Sequence, residues 1–118
     1  MGYLSDVAIA LKKTDYEKMI FSIKEMGYDE KTENNITKFI ETAKEDGEEK
    51  CKDEEYLCLL WENEKWYEEF EEVNFINEFL KDLSEYDLLI VGTNDDDITL
   101  VLNCKKQLFG LARSINFF

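Results

Sequence analysis

Acidic side chains are the residues of this sequence that most readily suggest chemistry. Pairs such as Glu62 with Glu64, or Glu68 with Glu72, have the residue types of a glycosidase carboxylate pair. The chain has 28 acidic residues, however, so pairs at these spacings are expected by chance. It has no histidine for general acid–base work or a triad, and neither GxGxxG nor GxxxxGKS occurs. We therefore expect no enzymatic activity.

Two sets of residues have metal-binding atoms, but neither has the pattern of a known kind of site. Asp95–Asp97 could chelate a hard cation, yet an EF-hand loop needs a glycine and a distal glutamate, and Lys106 occupies the glutamate position. Cys51, Cys58 and Cys104 form no CxxC pair and would need a fourth zinc ligand in a chain without histidine. We interpret the aspartates as a solvated turn and the cysteines as reduced, and we expect no metal and no cofactor.

Negative charge is concentrated in the middle of the chain. The net charge of the whole sequence is −14, and the segment 45–72 contains 13 acidic residues against 3 lysines. The rest of the chain holds 15 acidic and 11 basic residues. So acidic a chain repels phosphate groups and anionic lipid surfaces, which argues against direct binding of nucleic acid or membranes. It attracts basic surfaces and speeds encounters with them.

Two aromatic residues, Trp66 and Tyr67, lie inside this acidic segment. One interpretation is structural, with one ring facing the core and the other covering the sheet edge. The other is functional, because exposed Trp and Tyr are favoured anchors of protein interfaces. We predict a partner-binding surface composed of Glu62, Glu64, Trp66, Tyr67, Glu68, Glu69, Glu71 and Glu72.

The apolar pattern predicts five strands. Tyr3–Leu11 alternates between large apolar residues and alanines, which predicts a strand covered on both faces. Tyr56–Trp61 is a continuous apolar run typical of a central strand, and Lys65–Tyr67 is an alternative extension of it. Further strands are predicted at Tyr86–Val91, Ile98–Leu102 and Leu108–Phe118, with a turn at Asn94–Asp97.

Helical spacing of apolar residues predicts two helices before the middle of the chain. Thr14 with Glu17 forms a capping box for the first helix, and Gly27 ends it. The second helix is capped by one residue of Asn34–Asn35, and Asp46–Gly47 ends it.

The third helix is predicted over about Asn74–Leu83, with Val73 just before it as a hydrophobic staple. The elements then follow the order β, α, α, β, α, β, β, β in a single domain, 1–118. This order predicts an α+β fold of two layers, with helices on one face of a mostly antiparallel sheet. The fold is split βαβ-like with an added C-terminal strand. Regular alternation in that strand turns Arg113 inward, where Asp6 could supply a carboxylate partner. The alternative is that the strand starts late or bulges and leaves Arg113 in water.

Three short motifs resemble a family of small proteins encoded by phages and prophages. They are the opening Gly2–Ile9 (GYLSDVAI), the central Lys65–Tyr67 (KWY) and the closing Arg113–Ile115 (RSI). Leu4 replaces the arginine usual in the family, and Ala112 replaces a serine. The family is largely uncharacterised, so the resemblance implies a mobile-element origin but no active site. Small phage proteins outside the virion module often restrain host systems, including CRISPR and other defence machinery.

Charge and resemblance together favour a binding protein of the host-cell cytoplasm, since no apolar stretch could span a membrane and no secretory signal is visible. The favoured hypothesis is a stoichiometric, anti-CRISPR-like inhibitor that binds a host protein with a basic nucleic-acid-binding surface. Acids three or four residues apart on a helix lie about 5–6 Å apart, near the spacing of phosphates, so the surface could mimic nucleic acid. The alternative is a phage adaptor that binds another phage protein through an aromatic patch or a sheet edge. Either would be a monomer or a homodimer.

Purified protein should bind no zinc and hydrolyse no nucleotide, because the residues that could supply metal ligands and catalytic bases are missing. Elemental analysis after desalting and a nucleotide-hydrolysis assay after repeated purification measure the two properties. Stoichiometric metal, or turnover that survives repurification, would contradict this expectation.

Overall fold

Within the residues that the structure describes, the chain forms three helices, a four-stranded sheet and a small two-stranded sheet. The structure is a computed structural model that describes residues 4–92 and 98–104, together with the backbone of 109–110 and 116–117. In chain order the elements are β1 (Ser5–Lys12), α1 (Lys13–Glu25), α2 (Glu30–Lys50), β2 (Tyr56–Glu64), α3 (Glu71–Lys81), β3 (Tyr86–Gly92), β4 (Ile98–Leu102), β5 (Phe109–Gly110) and β6 (Asn116–Phe117).

The larger sheet has the strand order β2-β1-β3-β4, and its neighbouring strands are antiparallel. Because β1 lies between β2 and β3 and is antiparallel to both, β2 and β3 run parallel to each other and are joined through α3. That arrangement is a split βαβ unit, so the α+β fold predicted from the sequence is confirmed. Among the described strands β2 lies at the edge of the sheet, so the prediction of a central strand at Tyr56–Trp61 is wrong. Its apolar run reflects burial of both its faces rather than two strand neighbours.

Both faces of β1 are buried, as its alternating sequence predicts. Val7, Ile9 and Leu11 are 0% exposed and join the core cluster that lies under the helices. Ala8 and Ala10 are also 0% exposed and face the opposite side of the sheet. There they join a second buried cluster, whose other members are Cys51, Tyr56, Cys58, Leu60 and Leu89.

The helices α1, α2 and α3 pack on the same face of the sheet. Each contributes buried apolar side chains to the core cluster: Met19 and Ile23 from α1, Ile36 and Ile40 from α2, and Ile76 and Leu80 from α3. Burying one such side chain stabilises the fold by about 1.5–3 kcal/mol. Val73 is not a staple before α3 but a buried residue within it, because α3 begins at Glu71.

α1 ends as predicted but begins differently. Gly27 follows the helix with φ of 76°, a left-handed conformation that glycine adopts without strain. The capping box predicted from Thr14 and Glu17 is wrong, because the helix already begins at Lys13. Lys12, the N-cap residue, makes no side-chain capping hydrogen bond. β1 therefore continues directly into α1, with no loop in which a cap could form.

α2 is longer at both ends than the sequence predicts. Its N-cap is Asp29, whose Oδ1 accepts a hydrogen bond from the N–H of Thr32 at 3.1 Å, so the predicted cap at Asn34–Asn35 is wrong. An aspartate cap with acidic residues in the first turn is favourable at a helix N-terminus. Asp46–Gly47 does not end the helix either, since α2 continues to Lys50.

Gly47 lies inside α2 because the helix touches the backbone of β2 at this residue. A Cβ atom on Gly47 would lie 1.9 Å from the carbonyl oxygen of Cys58 and 2.6 Å from its carbonyl carbon. Glycine within a helix costs about 1 kcal/mol relative to alanine, and here it allows a close approach that no side chain would permit. The residue that resembles a helix stop is therefore the contact point of two elements.

β2 ends in a β-bulge. Asn63 has φ of 54°, and the register between β1 and β2 shifts at this point. The N–H of Asn63 donates a hydrogen bond to Oδ1 of Asp6 at 2.9 Å. A bulge bends a strand and interrupts its ladder. The strand therefore stops at Glu64, and the alternative extension through Lys65–Tyr67 is wrong.

A buried carboxylate fixes the end of β4. Asp87 is 1% exposed, and its Oδ1 accepts hydrogen bonds from the N–H groups of Asn103 and Cys104, both at 2.9 Å. β3 and β4 otherwise match their predictions.

The C-terminal part departs from the single strand predicted at Leu108–Phe118. β5 and β6 pair antiparallel with each other, so the chain reverses direction between them and that prediction is wrong. Tyr3, Asn94–Asp97 and Arg113 lie outside the described residues, so their predictions stand as they were made.

Replacing Gly47 with alanine should lower the free energy of unfolding by about 1–3 kcal/mol, because the added methyl group forces helix and strand apart. Thr42→Ala, at an exposed position of the same helix, is the control and should be neutral or slightly stabilising. Urea unfolding followed by circular dichroism gives both values. A Gly47→Ala protein as stable as the control would contradict the contact.

Candidate functional site

The glutamates predicted to contact a partner occupy three consecutive pieces of the chain. Glu62 and Glu64 belong to the end of β2, Glu68 and Glu69 to the turn that follows, and Glu71 and Glu72 to the first turn of α3. No single helix carries them, so the regular spacing of a helix face does not apply to this set. Any likeness to nucleic acid would come from charge density rather than from a phosphate-like repeat.

All six glutamates reach solvent. Four are exposed and two, Glu64 and Glu72, are half-buried. Within residues 4–92 and 98–104, no salt bridge includes any of the six; the lysines that form salt bridges there, Lys12, Lys18, Lys44 and Lys81, pair with other acidic residues. The positive end of the α3 dipole favours Glu71 and Glu72 where they lie, so this acidity is compatible with the fold.

Trp66 is half-buried and packs against the core cluster. Its ring centroid lies 5.0 Å from that of Trp61 and 6.1 Å from that of Phe39, at the margin of the core cluster. Its indole Nε1 is buried and finds no hydrogen-bond acceptor among the described residues. Trp61 in turn donates its Nε1–H to the carbonyl oxygen of Phe39 at 3.2 Å. The three rings thus join α2 to β2 and to the turn after it.

A second aromatic pair lies among the glutamates. The ring centroids of Tyr67 and Phe70 are 5.6 Å apart with an interplanar angle of 53°. Phe70 is 39% exposed, and Tyr67 is half-buried. The segment Tyr67–Glu72 therefore combines two aromatic rings with four glutamates, and we call it the acidic–aromatic patch.

Sequence analysis missed Phe70 as a contact residue. The sequence signal was ambiguous: the two pairs of glutamates beside Phe70 favour the surface, whereas Trp66 and Val73 stand four residues before and three after it, the spacing of a buried helix face. An aromatic residue in that setting is either an isolated surface ring or part of a contact surface.

A groove of about 370 Å³ separates α2 from the edge of β2. α2 lines it with residues between Asn35 and Asp46, and β2 lines it with Leu60, Trp61, Glu62 and Glu64. Asp46, Glu62 and Glu64 bring three carboxylates to this groove, and Lys38 brings one ammonium group. The structure therefore divides the predicted contact residues, with Glu62 and Glu64 in the groove and Glu68–Glu72 in the acidic–aromatic patch.

The cysteine thiols are poorly suited to nucleophilic chemistry. Cys51 and Cys58 are buried, Cys104 is half-buried, and all are free. Burial raises the pKa of Cys58 well above its usual range; burial, together with the charge of Asp87, raises the pKa of Cys104 to about 12. The thiols of Cys58 and Cys104 therefore stay protonated at neutral pH and are weak nucleophiles. In the part of the chain that the structure describes, no group of three or more cysteine and acidic residues is arranged to hold a metal ion.

Among the described residues, no helix combines the length and apolar character needed to cross a lipid bilayer. Comparison with protein-family models found no match, and comparisons with curated proteins and with solved structures likewise found none.

The two neighbouring aromatics Trp66 and Tyr67 should respond differently to truncation. Trp66→Ala should lower the free energy of unfolding by about 3 kcal/mol, because it removes the ring stacked on Trp61 and Phe39. Tyr67→Ala should lower the free energy of unfolding by clearly less, because the ring of Tyr67 packs on the exposed Phe70. Urea unfolding of both variants measures the difference. Equal losses would mean that Tyr67 also supports the core.

Proposed function

We propose that this chain is a phage-encoded binding protein that inhibits a host nucleic-acid-handling defence system by occupying a basic, nucleic-acid-binding surface of one of its proteins. The observation that carries the proposal is the acidic–aromatic patch. It presents four glutamates that have no salt-bridge partner among the described residues, arranged around the rings of Tyr67 and Phe70. The phage origin rests on the resemblance of the three sequence motifs.

The two components of the patch supply different parts of binding. Opposite charges on two proteins steer their encounter and can raise association rate constants from about 10⁵–10⁶ to about 10⁸–10⁹ M⁻¹s⁻¹ at low salt. Aromatic side chains buried at the centre of an interface mainly slow dissociation. Tyr67 and Phe70 are placed among the glutamates so that a partner attracted by the charges would meet the rings as well.

The distribution of charge supports binding better than it supports solubility alone. Repulsion between nearby like charges works against a compact fold, so a protein that needs only solubility is better served by mixed and evenly spread charges. Here the segment 45–72 holds 13 acidic residues and 3 lysines. A basic partner surface would relieve that repulsion on binding.

The adaptor hypothesis remains the second candidate, and the 39% exposure of Phe70 is the observation that favours it. An adaptor would bind through apolar contact, and its affinity would change little with salt. An inhibitor that depends on the glutamates would lose affinity steeply as ionic strength rises, because salt screens exposed charges beyond about 8–10 Å. Binding to an identified partner at low and high salt separates the two functions.

Reversing Glu68, Glu69, Glu71 and Glu72 to lysine should abolish inhibition while leaving the fold intact. The measurement is the plating efficiency, on a host with active defence, of a phage that carries the variant. We expect at least a tenfold loss relative to the parent phage, because the reversed patch repels the basic surface that it normally binds.

The matched control reverses four glutamates elsewhere, Glu17, Glu30, Glu33 and Glu41, and so changes the net charge equally. Glu30 and Glu33 lie in the first turn of α2, as Glu71 and Glu72 do in α3, so the cost at a helix N-terminus is matched as well. Thermal melts verify that both variants fold. If the patch variant escapes host defence as well as the control does, the patch is only a solvated surface.

A further inference from the structure

We infer that the partner also adds a strand to this protein: an extended, lysine- or arginine-bearing segment pairs with the edge of β2 over Leu60–Glu64, in the groove beside α2. The inference rests on the proposed function and deepens it by specifying how the partner is held. Strand addition uses main-chain hydrogen bonds for affinity and alternate side chains for specificity.

The backbone of β2 is open over this stretch. β2 has β1 on one side and no other strand of the described chain on its second side. The N–H of Lys13 donates to the carbonyl oxygen of Glu55 at 3.0 Å, and the register continues from there to Ala10 opposite Cys58, a position at which the backbone groups of Cys58 point away from β1. Because this direction repeats every second residue, the N–H and C=O of Leu60 point the same way. At Cys58 the outward side is covered by α2, whereas at Leu60 it opens into the groove.

The groove has the dimensions of a short extended segment. Its α2 wall runs from Asn35 to Asp46, which spans about 16 Å at 1.5 Å per helical residue. An extended chain covers that length with about five residues at about 3.3 Å each. The bulge at Asn63 interrupts the ladder at the far end. A partner segment of a few residues therefore fits, and a long strand does not.

The charges that line the groove favour a basic segment as its occupant. The groove presents the carboxylates of Asp46, Glu62 and Glu64 against the ammonium group of Lys38, with the half-buried Phe39 also in its lining. Lysine and arginine side chains bind carboxylates and also pack over aromatic faces. A second copy of this chain is disfavoured, because each copy has a net charge of −14 and would bring the same acidic edge to the contact. The occupant is therefore a basic segment of a different protein.

Amide hydrogen exchange, followed by NMR on the isotope-labelled full chain, tests this inference. The probe is a short peptide of alternating lysine and valine, and its control has the same sequence with alternate backbone amides N-methylated. We expect the first peptide to slow exchange at the amide of Leu60 at least tenfold. The methylated peptide has the same charge but cannot complete the ladder, so it should leave exchange at Leu60 unchanged.

Two variants locate the effect in the groove. Thr42→Trp places a large ring in the groove and should weaken binding of the alternating peptide at least tenfold, whereas Glu41→Trp, at an exposed α2 position outside the groove lining, should not. Equal slowing by both peptides, or binding confined to the acidic–aromatic patch, would overturn strand addition. So would slowing at Leu60 that depends on the protein's own concentration, which would indicate pairing of two copies. Each of these outcomes leaves the proposed function standing, because that function is tested separately by reversal of Glu68–Glu72.

Discussion

The close approach of α2 to β2 at Gly47 is the constraint on which the arrangement of this molecule depends. With no side chain between them, the helix touches the carbonyl oxygen of Cys58 and covers the sheet edge there. Farther along, Trp61 donates to the carbonyl oxygen of Phe39, and its ring lies between α2 and Trp66. The acidic groove begins beside the Gly47 contact, at Asp46 and Leu60, and continues past Phe39 and Trp61 to Asn35 and Glu64. One glycine therefore determines which part of the edge is protected and which part is open.

The features of the fold that could be predicted from the sequence are those that follow from the periodic spacing of apolar side chains. β1, β3, β4 and the inward faces of the helices were found because alternation and helical spacing reveal which side chains are buried. The position of β2 could not be found this way, because a strand buried on both faces has the same apolar run at the centre or at the edge of a sheet. Gly47 was interpreted as a helix stop because its cause is a contact with a strand distant in the sequence. Asp87 was not singled out, because a single acidic residue in a sequence gives no sign of the two N–H groups from which its side chain accepts hydrogen bonds.

The candidate site was predictable in composition but not in arrangement. Charge is additive along a sequence, so the acidic segment could be located from counts alone. Which residues lie together depends on the bulge at Asn63, after which the strand pattern no longer indicates which side chains face inward. The regular alternation that was available before the bulge could not assign Trp66 to the core or Phe70 to the surface. Aromatic residues in a short irregular segment are therefore the least predictable part of this site.

The central position of β1 also affects how the chain reaches its native state. Ile9 pairs with Leu59 on one side and with Leu88 on the other, so the sheet is assembled almost entirely from partners distant in sequence. Proteins dominated by such non-local pairings fold slowly, because chain entropy is lost before the stabilising contacts form. Before β3 pairs with β1, one edge of β1 is unpaired and both of its faces are apolar. Unpaired apolar strands of this kind commonly lead to aggregation. Mutual repulsion between chains of net charge −14 keeps such intermediates apart, so the acidity protects folding whatever the protein later binds.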